Sequence, residues 1–129
     1  MNDERHSLCA MTLTSFDLVT IDTPRTDFLG EFYAQVLGVH ESEREDGDRW
    51  IVFSEPNGVR RIGFQRGEHK PGCVHLDFSC EVEHFEVERL RILSLGASET
   101  REPRIEPYGN IANFQDPDGN LFDLCAYNK

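Results

Sequence analysis

Phe28-Leu29-Gly30-Glu31-Phe32-Tyr33-Ala34-Gln35-Val36-Leu37-Gly38 decides the fold. Its apolar residues recur as Phe28, Leu29, Phe32, Tyr33, Val36 and Leu37, which is one broad stripe along a helix. Gly38 follows at once, as expected of a residue that closes a helix in the left-handed conformation. Upstream, Thr23-Pro24 offers an N-cap followed by proline at the first helical position. Before that, residues 16–22 alternate, with Val19 and Ile21 on one face and Phe16, Leu18, Thr20 and Asp22 on the other. The chain therefore begins as strand, then helix.

Downstream come a polar hairpin-like stretch around Glu45-Asp46-Gly47-Asp48, an apolar strand over 50–53, the turn Glu55-Pro56-Asn57-Gly58 and a strand over 61–65. Residues 66–72, punctuated by Gly and Pro, form a linker. The same order then returns. Residues 73–80 alternate, with Val74, Leu76, Phe78 and Cys80 opposite Cys73, His75, Asp77 and Ser79. Residues 83–95 read as a helix with the stripe Phe85, Val87, Leu90 and Leu93, and its ending Leu95-Gly96 echoes Leu37-Gly38. A strand near 97–101 follows. A last hairpin, 110–115 and 121–127, turns on Asp116-Pro117-Asp118-Gly119.

Two half-length copies of one unit mean a duplicated fold. The expectation is an α+β domain of two βαβββ modules, 16–65 and 73–127, forming an eight-stranded open cup with one helix per module on the outer face. Residues 1–15 are expected to be a flexible leader, with Met11 as an alternative start. One helix covers only one face of a sheet, so the other faces must meet or enclose something.

Strand parity selects candidate residues for that hollow. With Val74, Leu76 and Phe78 packed under a helix, His75 and Asp77 face the cup. With Phe122, Leu124 and Ala126 packed, Asp123 faces it too. Trp50, Phe114 and Tyr108 are the aromatics suited to wall a ligand. Arg61 and the histidines at 6, 40, 69 and 84 are expected to be solvated.

Composition narrows the function. Among 129 residues, 38% are hydrophobic and 29% charged, which suits a globular domain. A formal net charge of -11 argues against nucleic acid, whose phosphates reward clustered Lys and Arg. No apolar run spans a bilayer and no secretory h-region follows Met1, so no membrane partner and a cytoplasmic location are expected. Cys9, Cys73, Cys80 and Cys125 match no CxxC pattern, and the last three read as small buried hydrophobes.

Residues 29–38 resemble the helix signature of the vicinal-oxygen-chelate superfamily, which contains glyoxalase I, extradiol dioxygenases, and bleomycin- and fosfomycin-resistance proteins. Residues 74–78 resemble its second opening strand, and 95–97 and 116–124 its second helix end and closing hairpin. Ile21-Asp22-Thr23-Pro24 and Phe64-Gln65-Arg66 are similar to its glyoxalase-like subgroup. In metal-dependent members, four strand positions, two per module, supply His, Glu or Gln ligands. The resemblance places them at Leu18, at Ile62 or Gly63, at His75 and at Asp123. Only the last two can ligate, with Gln65 two residues beyond Gly63 on the same face.

The resemblance implies a small polar or cationic molecule bound in the cup by His75, Asp123, Gln65, Trp50, Leu18 and Phe114. His75 and Asp123 are the candidate catalytic pair, a general base near neutral pH. They are also the only candidate metal ligands, an incomplete set. The expected protein is a homodimer that binds its ligand as bleomycin-resistance proteins do, without a cofactor. The alternative is a lyase, isomerase or dioxygenase resembling glyoxalase I that uses a divalent metal (Zn, Ni, Mn or Fe). Whether anything is turned over stays open.

Overall fold

The computed structural model describes residues 13, 16–72 and 75–129. Apart from Leu13, the expected leader lies outside them, as do Cys9, Cys73 and Val74. The elements run β1 (Val19–Thr23), α1 (Thr26–Leu37), β2 (His40–Glu45), β3 (Trp50–Ser54), β4 (Arg61–Arg66) and β5 (His75–Ser79). A short 3-10 turn (Val82–His84) leads into α2 (Phe85–Ser94), then β6 (Ser98–Glu99), β7 (Arg104–Glu106), β8 (Gly109–Gln115) and β9 (Leu121–Tyr127).

The first sheet is ordered β1-β4-β3-β2 and the second β5-β9-β8-β6, the same path twice. The short β7 is an addition, paired to β8 beside that path. In each sheet the opening strand runs parallel to the last, and the remaining neighbours are antiparallel. The duplication read from the turns is thus the architecture: a mixed α+β chain of two open sheets, each with its helix.

Helix α1 joins them. Leu29, Phe32, Tyr33 and Val36 are buried, while Phe28 and Leu37 at the ends of the stripe are exposed. The Tyr33 ring stacks on Phe64 of the first sheet (5.8 Å) and meets Phe78 and Phe122 of the second edge-on (6.3 and 6.0 Å). Gly30 lets the helix approach β3, since a Cβ there would lie 2.6 Å from the Phe53 ring. Gly38 closes the helix at φ 70°, its N–H donating to the Ala34 carbonyl.

Two expectations are corrected. Thr23 is no N-cap, because the helix begins only at Thr26. Thr23 is instead buried at the end of β1, accepting from the Arg25 N–H and donating to Asp118. In α2 the core residues are Phe85 and Ile92, whereas Val87 and Leu90 point to solvent. The polar stretch around Gly47 is the hairpin expected: β2, exposed at every position, turns at residues 46–49 into antiparallel β3. An edge strand covered in charge resists pairing with other chains.

The turn 116–119 ties the second sheet to α1. Tyr33 donates its hydroxyl to Asp116 (2.8 Å), and Arg25 pairs with Asp118. Burial, and after it the Asp116 charge, raises the Tyr33 phenol far above its ordinary value of about 10. A group raised on folding contributes stability below its unfolded pKa and loses it as pH climbs. Urea stability should therefore hold from pH 7 to 9 and fall above about pH 10. Part of that alkaline slope should vanish in Tyr33→Phe. An unchanged slope in that variant would disprove the assignment.

Candidate functional site

The face of each sheet away from the helices carries the candidate residues. On the first sheet, Ile51, Phe53, Ile62 and Phe64 pack in the core. Alternation turns Trp50, Val52, Arg61, Gly63 and Gln65 the other way. Gly63 is roofed. A Cβ built on it would lie 2.8 Å from Leu18 Cδ1 and 2.9 Å from Trp50 Cη2. The indole N–H of Trp50 donates to Glu43 (2.9 Å), fixing the ring over that floor. Arg61, expected on the solvated surface, shares this face and pairs with Asp17 and Glu43. Gln65 is exposed and lies in register with Asp22 and Trp50.

On the second sheet, Phe78, Phe122 and Leu124 pack inward, leaving His75, Asp77 and Asp123 on the open face. His75 Nε2 is 3.5 Å from Asp77 Oδ2 and 3.8 Å from Asp123 Oδ2. These are ion-pair distances, longer than hydrogen bonds. The side chains of His75 and Asp77 are 54% and 59% exposed, that of Asp123 18%. Asp123 is therefore the most shielded of the three. Its Oδ1 accepts a 2.7 Å hydrogen bond from Asn113.

His75 and Asp123 thus come together, and Leu18 and Trp50 come together over Gly63. Phe114 is corrected: it is 1% exposed and stacked on Phe122 at 5.2 Å, inside the core. Its register with Phe122 puts both on the helix side, so it walls no ligand. Tyr108 is half-exposed and leans on Tyr127. Sequence reasoning missed Asn113. The signal was the last hairpin, whose register sets Asn113 opposite Asp123.

The registers also superpose the two units. Thr20 pairs with Gly63 as Asp77 pairs with Asp123, and Val52 pairs with Gly63 as Asn113 pairs with Asp123. Two residues before Thr20 and Asp77 stand Leu18 and His75. One half offers Leu, Thr, Gly and Val where the other offers His, Asp, Asp and Asn.

A glyoxalase-like domain model matches residues 18–125. The chain belongs to the glyoxalase-like domain family. No curated protein matches the sequence. Among solved structures of similar fold is a glyoxalase/bleomycin resistance protein/dioxygenase family enzyme from Burkholderia phytofirmans PsJN. It is 21% identical, with a TM-score of 0.78 over 89% of this chain and 100% of that one. Another is the fosfomycin resistance protein FosX from Listeria monocytogenes, complexed with Mn(II) and sulfate. It is 20% identical, with a TM-score of 0.74 over 91% of this chain and 93% of that one. At such identities the likeness is one of fold.

The two ligand positions of the first unit do not fit a metal. Leu18 and Gly63 carry no donor, and Trp50 with Leu18 fills the space a side chain at 63 would need. Among the described residues, the second unit groups three donors, His75, Asp77 and Asp123, with ligand atoms within 4.8 Å of one another. A hollow of about 830 Å³ lies elsewhere, lined by Ser79, Cys80, His84, Val87 and Tyr127. It holds none of the three donors.

Proposed function

We propose that this glyoxalase-like protein binds a small polar or cationic molecule on the open sheet faces, without the metal shell of its metal-dependent relatives. His75 and Asp123 engage the ligand, and Leu18, Trp50 and Gln65 supply the opposing wall. The observation that carries this reading is the closure of Leu18 and Trp50 over Gly63. Asp77 and Asp123 offer acceptors, which suit a ligand bringing hydrogen-bond donors or positive charge. Between two carboxylates, the His75 imidazole is placed to take a proton from a bound ligand. A homodimer belongs to this reading, since His75 and Asp77 stand open to a second surface. So does the cytoplasm: Cys80 and Cys125 are free thiols, which suits a reducing compartment. No helix among the described residues is long and apolar enough to cross a membrane.

One observation favours the metal-dependent alternative: three protein donors with an open side are the number a catalytic zinc site uses. Elemental analysis of protein purified without chelator, with thermal shifts in Zn, Ni, Mn and Fe(II), separates the two. A metal at about 100 times its Kd would add about 2.7 kcal/mol, a rise on the order of 10 °C in Tm. The expected result is no stoichiometric metal and no such rise. One ion per chain, lost in His75→Ala, would overturn the proposal in favour of metal chemistry.

A further inference from the structure

We infer that Asn113 and Arg104 are positioning residues that hold the Asp123 side chain in one χ1 rotamer, which keeps its carboxylate beside His75. The inference rests on the reading of His75 and Asp123 as the ligand site and extends it to two residues outside that pair.

Four polar side chains are linked across three neighbouring strands. Arg104 Nε donates to Glu106 (3.0 Å), and its Nη1 donates to Asn113 Oδ1 (2.6 Å). Asn113 Nδ2 then donates to Asp123 Oδ1 (2.7 Å). A guanidinium has donors only, so the amide of Asn113 must turn its oxygen to Arg104. That leaves its NH₂ for Asp123. The direction of the whole chain is set by Arg104, and with Oδ1 occupied the free oxygen of Asp123 is the one 3.8 Å from His75 Nε2.

The duplicated unit supplies an internal control. At the equivalent pair the first sheet has Val52 opposite Gly63, and it folds with no polar link there. The strand pairing therefore does not require Asn and Asp at these places. A carboxylate on a partly open face also needs no protein partner to be solvated, since water would serve. Three further polar residues aligned on Asp123 are explained by a need for a fixed orientation, as functional carboxylates need. Arg104 is itself spoken for by Glu106 and Asn113, so it is no receptor for an anionic ligand.

The test is ligand-free. Three-bond couplings to Asp123 Cγ, measured by NMR on the full chain, report its χ1 rotamer. The wild type should show the single-rotamer pattern. Asn113→Val, the residue of the equivalent position, should lose it and average over rotamers while Tm stays unchanged. Arg104→Leu should lose it in part, and the double variant should look like Asn113→Val, because Arg104 acts through Asn113. Asn113→Ser, which keeps a donor, should recover part of the pattern. A single rotamer retained in Asn113→Val, or an additive double variant, would overturn the inference. Failure of the site reading looks different. There, a methylguanidinium titration leaves the His75 and Asp123 signals of the wild type unmoved, whatever the couplings show.

Discussion

Alanine in place of Asp116 is expected to lower folding stability by about 3 to 5 kcal/mol, since several buried donors lose their acceptor together. Asp116 is 3% exposed. Its Oδ1 accepts from the backbone N–H groups of Asp118 (2.8 Å) and Asn120 (2.9 Å). Its Oδ2 accepts from the Tyr33 hydroxyl and the Asn120 amide, both at 2.8 Å. Removing the carboxylate strands several donors at once. Each donor left buried without a partner costs about 1 to 3 kcal/mol, with water relieving those nearer the surface. The loop then no longer presents Asp118 to Arg25 and Thr23, so the second sheet loses its polar tie to the start of α1. Tyr33→Phe removes one partner of the four and should cost about 1 to 2 kcal/mol. Urea melts with equal m-values would measure both. A loss under about 1 kcal/mol for the alanine variant would mean that the tie is ornamental.

What the sequence makes legible follows from how each residue is used. Helix α1 was readable because its face meets two sheets, so the apolar spacing is dense, and because Gly38 needs the left-handed conformation. Helix α2 was readable as a helix but not by its face, because only Phe85 and Ile92 are committed to the core. β2 carries no pattern at all: His40–Glu45 is an edge with both faces in solvent, and alternation is recorded only where one face is buried. The same logic governs the site. Parity alone sets His75 and Asp123 on one face, since Leu76 and Phe78 pack against the core in one strand and Phe122 and Leu124 are buried in the other. Phe114 reads as a ligand wall by its aromatic character, but its register with Phe122 commits it to the core. Asn113 and Arg104 could not be found by type or spacing. Their link to Asp123 exists only across strands, and cross-strand neighbours are fixed by register rather than by distance along the chain.

Gly109→Ala is expected to cost about 4 kcal/mol or to prevent folding, placing it in the extreme tail of single substitutions. Gly109 begins β8 at φ 143°, a conformation that a side chain rarely adopts and that holds about 1 to 3 kcal/mol of strain. The space is closed as well. A Cβ would stand 2.2 Å from the Ala126 carbonyl oxygen and 2.9 Å from Tyr127 Cα. Both are backbone atoms of β9, so no rotamer change gives relief. The end of β8 would have to lift from β9, opening the Gly109–Tyr127 pair and the adjoining β7 ladder at Glu106. Gly38→Ala is the matched control. It also has positive φ (70°), but nothing lies within 4 Å of the added carbon, so only about 1 to 2 kcal/mol of backbone strain is expected. Thermal melts of the two variants therefore separate strain from collision. Equal Tm losses would show that the close approach of β8 to β9 is relieved at no cost. The larger loss at Gly109 would tie the far end of this hairpin to the site, because Glu106 anchors Arg104 and β9 carries Asp123.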